Sequence, residues 1–417
     1  MSKFIINGGK KLKGEMRVSG SKNALFPLFA ASLLTIEPCR FTNVPEIKDK
    51  QVMVDLITDL GVEVQVSDHA LSVNAANLNK SELNPELTGK LRGSIVLLGA
   101  LLGRTKKAKM SFPGGDLIGK RPIDAHVASF EALGANVSSN GEIEISAAKL
   151  KGAKIVLPES SVTATENAIL ASVLAQGQTT IKLAAMEPHV QQLCEFLNKM
   201  GAKISGIGTT TIIIDGVKNL HGAEIELIPD SNEAASFIAL GAATKADLKV
   251  TGLNPEYLDD FLMQLAKMKV NFDAGSDFVH VSPPKQDYAA SKIQCGLYPK
   301  LASDDVPALA VLATQATGES LVYEWLYENR LGYIDQLKKM GAQAEILDPH
   351  RVKITGPTPL HNAKITSYDL RMGITLVIAA LVANGESEID GVEHIDRGYE
   401  KLEERLGAIG ADIKRTD

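Results

Sequence analysis

Residues 189–204 read HVQQLCEFLNKMGAKI, an amphipathic helix stopped by Gly201, a residue type suited to the left-handed position past a helix end. The same ending recurs as DLGVEV at Gly61, ALGANV at Gly134, KMGAQA at Gly341 and AIGADI at Gly410. A sixth copy, KMKVNF, carries Lys269 where the glycine would stand. Successive copies are 73, 67, 68, 72 and 69 residues apart. A second mark keeps that rhythm: small-residue apolar helices near 22–34, 91–103, 164–176, 231–243, 303–317 and 369–384. A period of this length is long for a solenoid and fits a supersecondary unit used six times.

The third copy shows the unit. ATENAILASVLAQG (164–177) is apolar nearly all round, so it reads as a buried helix. QGQ turns the chain and TTIKLAA reads as a strand. A loop with Glu187 and Pro188 leads into the amphipathic helix. ISGIGTTTIIIDG and HGAEIELI then supply strands rich in β-branched residues. The order is helix–strand–helix–strand–strand–strand. Six such units most simply make an α/β protein of two domains, three units each, with buried helices inside and sheets around them.

The bulk composition sets outer bounds. The 417 residues suffice for two domains with real cores, and 45% hydrophobic with 23% charged residues is ordinary for a soluble globular protein. A formal charge of −6 argues against a general nucleic-acid binder. The longest apolar runs, SIVLLGALLG and ITLVIAALVA, are too short to span a bilayer, so no membrane insertion is expected. MSKFIINGGKKLKG has no apolar signal region. Cys39, Cys194 and Cys295 are odd in number and far apart, which suggests a reducing compartment and no zinc site. The expectation is a cytoplasmic protein.

The starts of the buried helices carry the chemistry. They read SGSKN (19–23), LRGS (91–94), SVTATE (161–166), PDSNE (229–233), ASDD (302–305) and YDLR (368–371). Each joins a capping residue type to nearby charge. If the units are related by symmetry, these N-termini converge, and their free N–H groups and positive dipole ends suit phosphate or carboxylate. Lys22, Arg92 and Arg371 at these starts strengthen that reading. Of the adjacent Asp304 and Asp305, one is free to cap while the other points elsewhere; a carboxylate near several cations stays ionised and can act as a base. Arg330 and Arg397 lie in equivalent loops of the fifth and sixth units and are candidates for an anion site, with surface salt bridges as the plain alternative.

The loop SFPGGDLIGKRPIDAH (111–126) is the most unusual segment. Gly114, Gly115 and Gly119 let backbone approach a ligand, and Asp116 stands at the tip with Lys120 and Arg121 close behind. It reads either as a lid bringing an acid or base to a substrate or as an exposed turn. No Walker loop, no GxGxxG between strand and helix, no HExxH and no Ser/His/Asp set is present, so no metal and no cofactor is expected.

GGKKLKGEMRVSGSKNALFPLFAASLL, NVPEIKD, SFPGGDLIGKRPIDAH, SYDLR and EHIDRGYEKLEERLGAIGA, in that order, resemble the enolpyruvyl transferases over nearly the whole chain. SGSKN and HIDRGYE point to the branch that uses UDP-N-acetylglucosamine. The resemblance implies a two-domain inside-out α/β barrel of six βαβαββ units. The first domain would span 22–229 and the second 1–21 with 230–417, with the active site in a cleft that closes on its substrates. It implies transfer of the enolpyruvyl group of phosphoenolpyruvate to the 3-hydroxyl of the sugar, with release of phosphate. By motif position, Lys22, Arg121 and Arg397 would hold phosphoenolpyruvate, Arg92 would join the anion site, and Asn23 would contact the sugar. Asp304 would take the hydroxyl proton, and Asp369 with Arg371 would shape the pocket. Arg121, Pro122, Ile123, Asp124, Ala125, Ser161, Val162 and Leu326 would line the UDP-sugar site.

Two departures stand out. The family commonly has cysteine at the lid tip, the residue fosfomycin alkylates, and this chain has Asp116, which implies insensitivity to fosfomycin. An aspartate acting there as an acid needs a raised pKa, and Lys120 and Arg121 push it down. The branch usually has an arginine where Ser231 stands, and SDDVPALAVLA reads partly like the phosphoshikimate branch. Three readings follow: the UDP-N-acetylglucosamine enzyme of peptidoglycan synthesis, an enolpyruvyl transferase with another nucleotide or shikimate 3-phosphate as acceptor, and a non-catalytic nucleotide-sugar sensor. Retention of Lys22, Arg121, Asp304 and Arg397 together argues against the sensor.

Overall fold

The computed structural model describes residues 2–115 and 118–416. The chain forms two compact units. One runs from Gly20 to Gly115 and from Arg121 to Ile228; the other takes in the residues up to Ser19, a short stretch ending at Lys120, and everything from Pro229 onward.

Each unit is built around three helices that are apolar on all sides and therefore bury all sides. In the first unit these are Lys22–Ser32, Leu97–Thr105 and Val162–Ser172, packed pairwise on one another. In the second they are Ser231–Ala243, Val306–Thr314 and Leu370–Val382. Small residues let the helices come close. A Cβ on Gly99 would lie 2.5 Å from the backbone oxygen of Asn167, so that contact admits only glycine without a shift. Each unit has its own core of buried aliphatic and aromatic side chains.

The amphipathic helices end as their sequences predict. Gly61, Gly134, Gly201, Gly341 and Gly410 have φ of +90°, +88°, +97°, +94° and +97°. Lys269 takes the same left-handed position at φ +62°, at the cost a side chain pays there.

The sheets hold a feature the repeat conceals. Each four-stranded sheet contains one parallel pair, and the parallel partner comes from elsewhere in the chain. Lys154–Val156, which closes the second repeat, pairs with Gln178–Lys182 of the third. Glu224–Glu226, at the end of the third, pairs with Cys39–Thr42 of the first and so closes the ring of that unit. In the other unit the N-terminal segment does the closing. Lys13–Arg17 pairs with Asp247–Thr251, and Lys3–Gly8 lies between Gly385–Asp390 and Asp412–Thr416. The second repeat is the exception: its sheet has three strands, with only the parallel bridge Glu82–Lys109 where the fourth would run.

Four of the six central helices start with a side-chain cap. Ser21 and Ser161 accept from the N–H of Ala24 and Ala164, at 3.3 and 3.4 Å. Asp230 accepts from Asn232 and Glu233, and Asp369 from Arg371 and Met372. The other two begin as 3-10 turns, Arg92–Val96 and Ser303–Asp305, with no side-chain cap. Neither Asp304 nor Asp305 serves as one, so the expected division of labour between them is replaced by another.

Candidate active site

In the first unit the charged residues gather at the starts of the three central helices. Lys22 opens its helix and donates from Nζ to Asp49 Oδ2 at 2.8 Å; Asp49 is 2% exposed, so a buried carboxylate fixes the ammonium. Asn23 is the next residue and is half-buried. Arg92 opens the 3-10 turn and reaches both ends of the glycine loop, donating from Nη1 to the Pro113 carbonyl at 3.4 Å and from Nη2 to the Arg121 carbonyl. Arg121 and Ile123 are half-buried, Pro122 and Asp124 exposed, and Ala125 buried, at the entry to the helix Asp124–Ala132. Ser161 and Val162 are half-buried at the start of the third helix. Asp116 lies outside the described residues, so the acid expected at the loop tip is not placed by this structure.

His126 joins this cluster, and sequence reading passed over it. It is 4% exposed and contacts Thr163 Oγ1 and Asn167 Nδ2. Burial, then the charge of Arg92, hold its pKa down near about 3, so the ring is neutral at neutral pH. Asn167 offered a signal: a fully buried amide within an otherwise apolar helix has to be hydrogen-bonded to something.

In the second unit the centre is Asp304. Its Oδ1 accepts from Arg330 Nη2 at 2.6 Å, and its Oδ2 from Arg371 Nε at 2.8 Å and Asn232 Nδ2 at 2.9 Å. Burial alone would raise this carboxyl, but the charges of Arg371 and Arg330 outweigh it and hold it well below the usual carboxylate range. The arginines are buried and their pKa values are raised; burial opposes this, and Asp304 prevails. Arg330 is thus paired with Asp304 inside the protein, not in a surface salt bridge. Asp305, 3% exposed, is the opposite case: burial and then the charge of Asp304 push it well above the carboxylate range, and its Oδ1 has no hydrogen-bond partner. Two neighbouring aspartates are thus pushed in opposite directions by their surroundings.

The remaining expected residues surround this centre. Asp369 caps the helix that carries Arg371, whose Nη1 lies 3.5 Å from the Tyr399 hydroxyl. Arg397 ends the 3-10 turn Val392–Arg397, and the preceding Asp396 is gripped by both terminal nitrogens of Arg415. The Leu326 N–H donates to Glu324 Oε1 at 3.0 Å. Glu324, fully buried, also accepts from Ser303 Oγ at 2.8 Å, so it ties the Leu326 loop to the turn bearing Asp304. Lys120 N–H donates to Glu328 Oε1 at 2.9 Å. Asn232 and Glu324 had not been singled out from sequence. Asn232 follows Ser231, and its amide supplies Asp304 with a neutral donor.

Among the described residues, no group of three His, Cys, Asp or Glu side chains could hold a metal ion, and no helix is long and apolar enough to cross a membrane.

Comparison with known proteins agrees with this picture. The sequence model of EPSP synthase (3-phosphoshikimate 1-carboxyvinyltransferase) matches residues 6–406. UDP-N-acetylglucosamine 1-carboxyvinyltransferase of Borrelia garinii subsp. bavariensis is 40% identical over 424 residues, covering 100% of this chain and 99% of the relative. The enzyme of the same name from Halothermothrix orenii is 41% identical over 417 residues, covering 100% of each. Among solved structures, the enolpyruvyl transferase NikO from Streptomyces tendae superposes with a TM-score of 0.91 at 27% identity, over 100% of this chain and 99% of that one. EPSP synthase from Acinetobacter baumannii shares the fold, with a TM-score of 0.77 at 20% identity over 100% of both chains. A six-unit α/β chain whose helix starts carry these cations and this clamped aspartate, matched from end to end by such relatives, belongs to the EPSP synthase family of enolpyruvyl transferases.

Proposed function

We propose that the protein transfers the enolpyruvyl group of phosphoenolpyruvate to the 3-hydroxyl of UDP-N-acetylglucosamine and releases phosphate, the first committed step of peptidoglycan synthesis, in the cytoplasm. The observation that carries this reading is Asp304, an ionised carboxylate held on both oxygens by Arg330, Arg371 and Asn232. The curated relatives at about 40% identity carry the name of that activity.

In the addition step, the sugar 3-oxygen bonds to C2 of phosphoenolpyruvate, its proton passes to Asp304, and an acid delivers a proton to the methylene carbon C3. Asp116 is proposed as that acid. In the elimination step, a proton leaves C3, the double bond re-forms, and the C2–O bond to phosphate breaks. Lys22, Arg92, Arg121 and Arg397 supply positive charge for the phosphate and carboxylate, and Asn23 contacts the sugar. Arg121–Ala125, Ser161, Val162 and Leu326 line the nucleotide-sugar site, with Asp369 and Arg371 shaping the intermediate's pocket. The low pKa of Asp304 makes it a weak base while its arginines are engaged. An incoming anion that competes for those guanidinium groups raises the carboxyl's pKa, so substrate binding itself readies the base.

The test is phosphate release from phosphoenolpyruvate with UDP-N-acetylglucosamine, and in parallel with UMP, UDP-N-acetylgalactosamine and shikimate 3-phosphate, for wild type and Asp304→Asn. Release with UDP-N-acetylglucosamine and a loss of roughly 10²–10⁴-fold in the variant are expected. Release with another acceptor alone would keep the chemistry and replace the substrate. Silence with all four, alongside measurable binding of UDP-N-acetylglucosamine, would leave a sensor.

A further inference from the structure

We propose that His126, fixed as the neutral tautomer with its proton on Nε2, is a positioning residue that turns the Thr163 hydroxyl proton toward a phosphate oxygen of the bound nucleotide sugar. This rests on the function proposed above. The argument begins at Asn167. The Gly99 N–H can only donate, and it lies 2.7 Å from Asn167 Oδ1, which fixes which end of the amide is oxygen. The nitrogen end then has two protons. One goes to the Ile95 carbonyl at 2.9 Å, which can only accept. The other goes to His126 Nδ1, also at 2.9 Å. A ring nitrogen that receives a proton carries none, so the proton of the neutral ring is on Nε2. That N–H faces Thr163 Oγ1 at 3.2 Å and donates to it.

The threonine is thereby made an acceptor on one side, and its own proton points elsewhere. Among the hydrogen bonds of the described residues, none has Thr163 Oγ1 as donor to an acceptor. Thr163 is half-buried in the first turn of the helix Val162–Ser172, beside Ser161 and Val162. A hydroxyl donor at the positive end of an eleven-residue helix suits a phosphate oxygen. The same chain of bonds ties together the turn bearing Arg92, the helix entered through Arg121–Ala125 and the helix begun by Ser161. The depressed pKa of His126 agrees with a neutral ring.

Three variants and one spectrum test this. Thr163→Val keeps the shape and removes the hydroxyl; Kd and KM for UDP-N-acetylglucosamine should rise about tenfold, with KM for phosphoenolpyruvate and Tm nearly unchanged. His126→Leu should give the same shift, and adding Thr163→Val to it should cost little more, because both break one relay. His126→Gln, whose amide can both accept from Asn167 and donate to Thr163, should restore binding. The ¹⁵N spectrum of histidine-labelled protein at pH 7 should show His126 protonated on Nε2 only. A ring protonated on Nδ1, or an unaltered Kd in Thr163→Val, overturns the inference. So do effects of His126→Leu and Thr163→Val that simply add, or a loss that falls equally on both substrates. Phosphate release separates the two failures: a wild type that turns over while Thr163→Val binds normally sinks this inference alone, whereas a wild type silent with UDP-N-acetylglucosamine sinks the functional reading.

Discussion

Acid should weaken the first unit through His126, and His126→Gln should remove that weakness. In the folded protein the ring takes up its proton only near about pH 3; in the unfolded chain it does so near 6.5. Between those values the unfolded state binds more protons, so stability is fully present above pH 6.5 and is lost as pH falls toward 3. At pH 5 the loss from this one group is about 2 kcal/mol. Glutamine fits the hydrogen-bond pattern and does not titrate. The variant should be less stable than wild type at pH 8, by about 1–2 kcal/mol of lost packing. That gap should close, or reverse, by pH 5. With an m-value of roughly 2 kcal/mol/M, the change corresponds to a relative shift of about 1 M in urea midpoint. Comparing the two proteins at each pH cancels the other buried groups, among them Glu166, whose pKa is raised and which acts in the opposite direction. Urea unfolding at pH 5, 6, 7 and 8, followed by circular dichroism, is the assay. A gap that stays constant across that range would show that the ring is not held neutral as argued.

Other outcomes are expected. Lys269→Gly should raise stability by about 0.5–1 kcal/mol, measured by urea midpoint, because it relieves a side chain from a left-handed position; a loss of stability would mean the lysine makes a compensating contact. Gly99→Ala should cost about 1–3 kcal/mol and lower Tm, since its methyl would meet Asn167 at 2.5 Å; a neutral result would show that the two helices separate easily. With aspartate rather than cysteine at position 116, fosfomycin should cause no time-dependent loss of activity and no mass increase in the intact protein; rapid covalent inactivation would refute this.

The sequence made the repeat and its helices legible because both are local signals. A small-residue apolar run and a helix-ending glycine need no knowledge of the rest of the chain. Lys269 shows how strong the repeat is: the fourth unit keeps the backbone conformation without the residue that makes it cheap. Strand exchange between repeats was not legible, since Glu224–Glu226 reads the same whichever sheet it joins. The candidate site was legible in its charges and less so in their pairing. Arg330 and Asp304 are 26 positions apart, and only the fold makes them partners. Asn232, Glu324 and His126 act through hydrogen bonds to such partners, and no local pattern marks a residue whose role is to hold another.

The strands at the two ends of the chain order events during synthesis. Residues 20–228, apart from 116–120, find their partners among themselves and can fold as soon as they have left the ribosome. Lys3–Gly8 cannot: the strands on either side of it are Gly385–Asp390 and Asp412–Thr416, made long after it. At about 5–20 residues per second, that strand waits roughly 20–80 seconds with both edges unpaired. Over that interval KFIING is an apolar strand seeking a neighbour, and the lysines and glycines of GGKKLKG that follow it are the residue types that discourage a wrong one. Aggregation during expression should therefore depend on translation speed along the message more than on the stability of the finished protein.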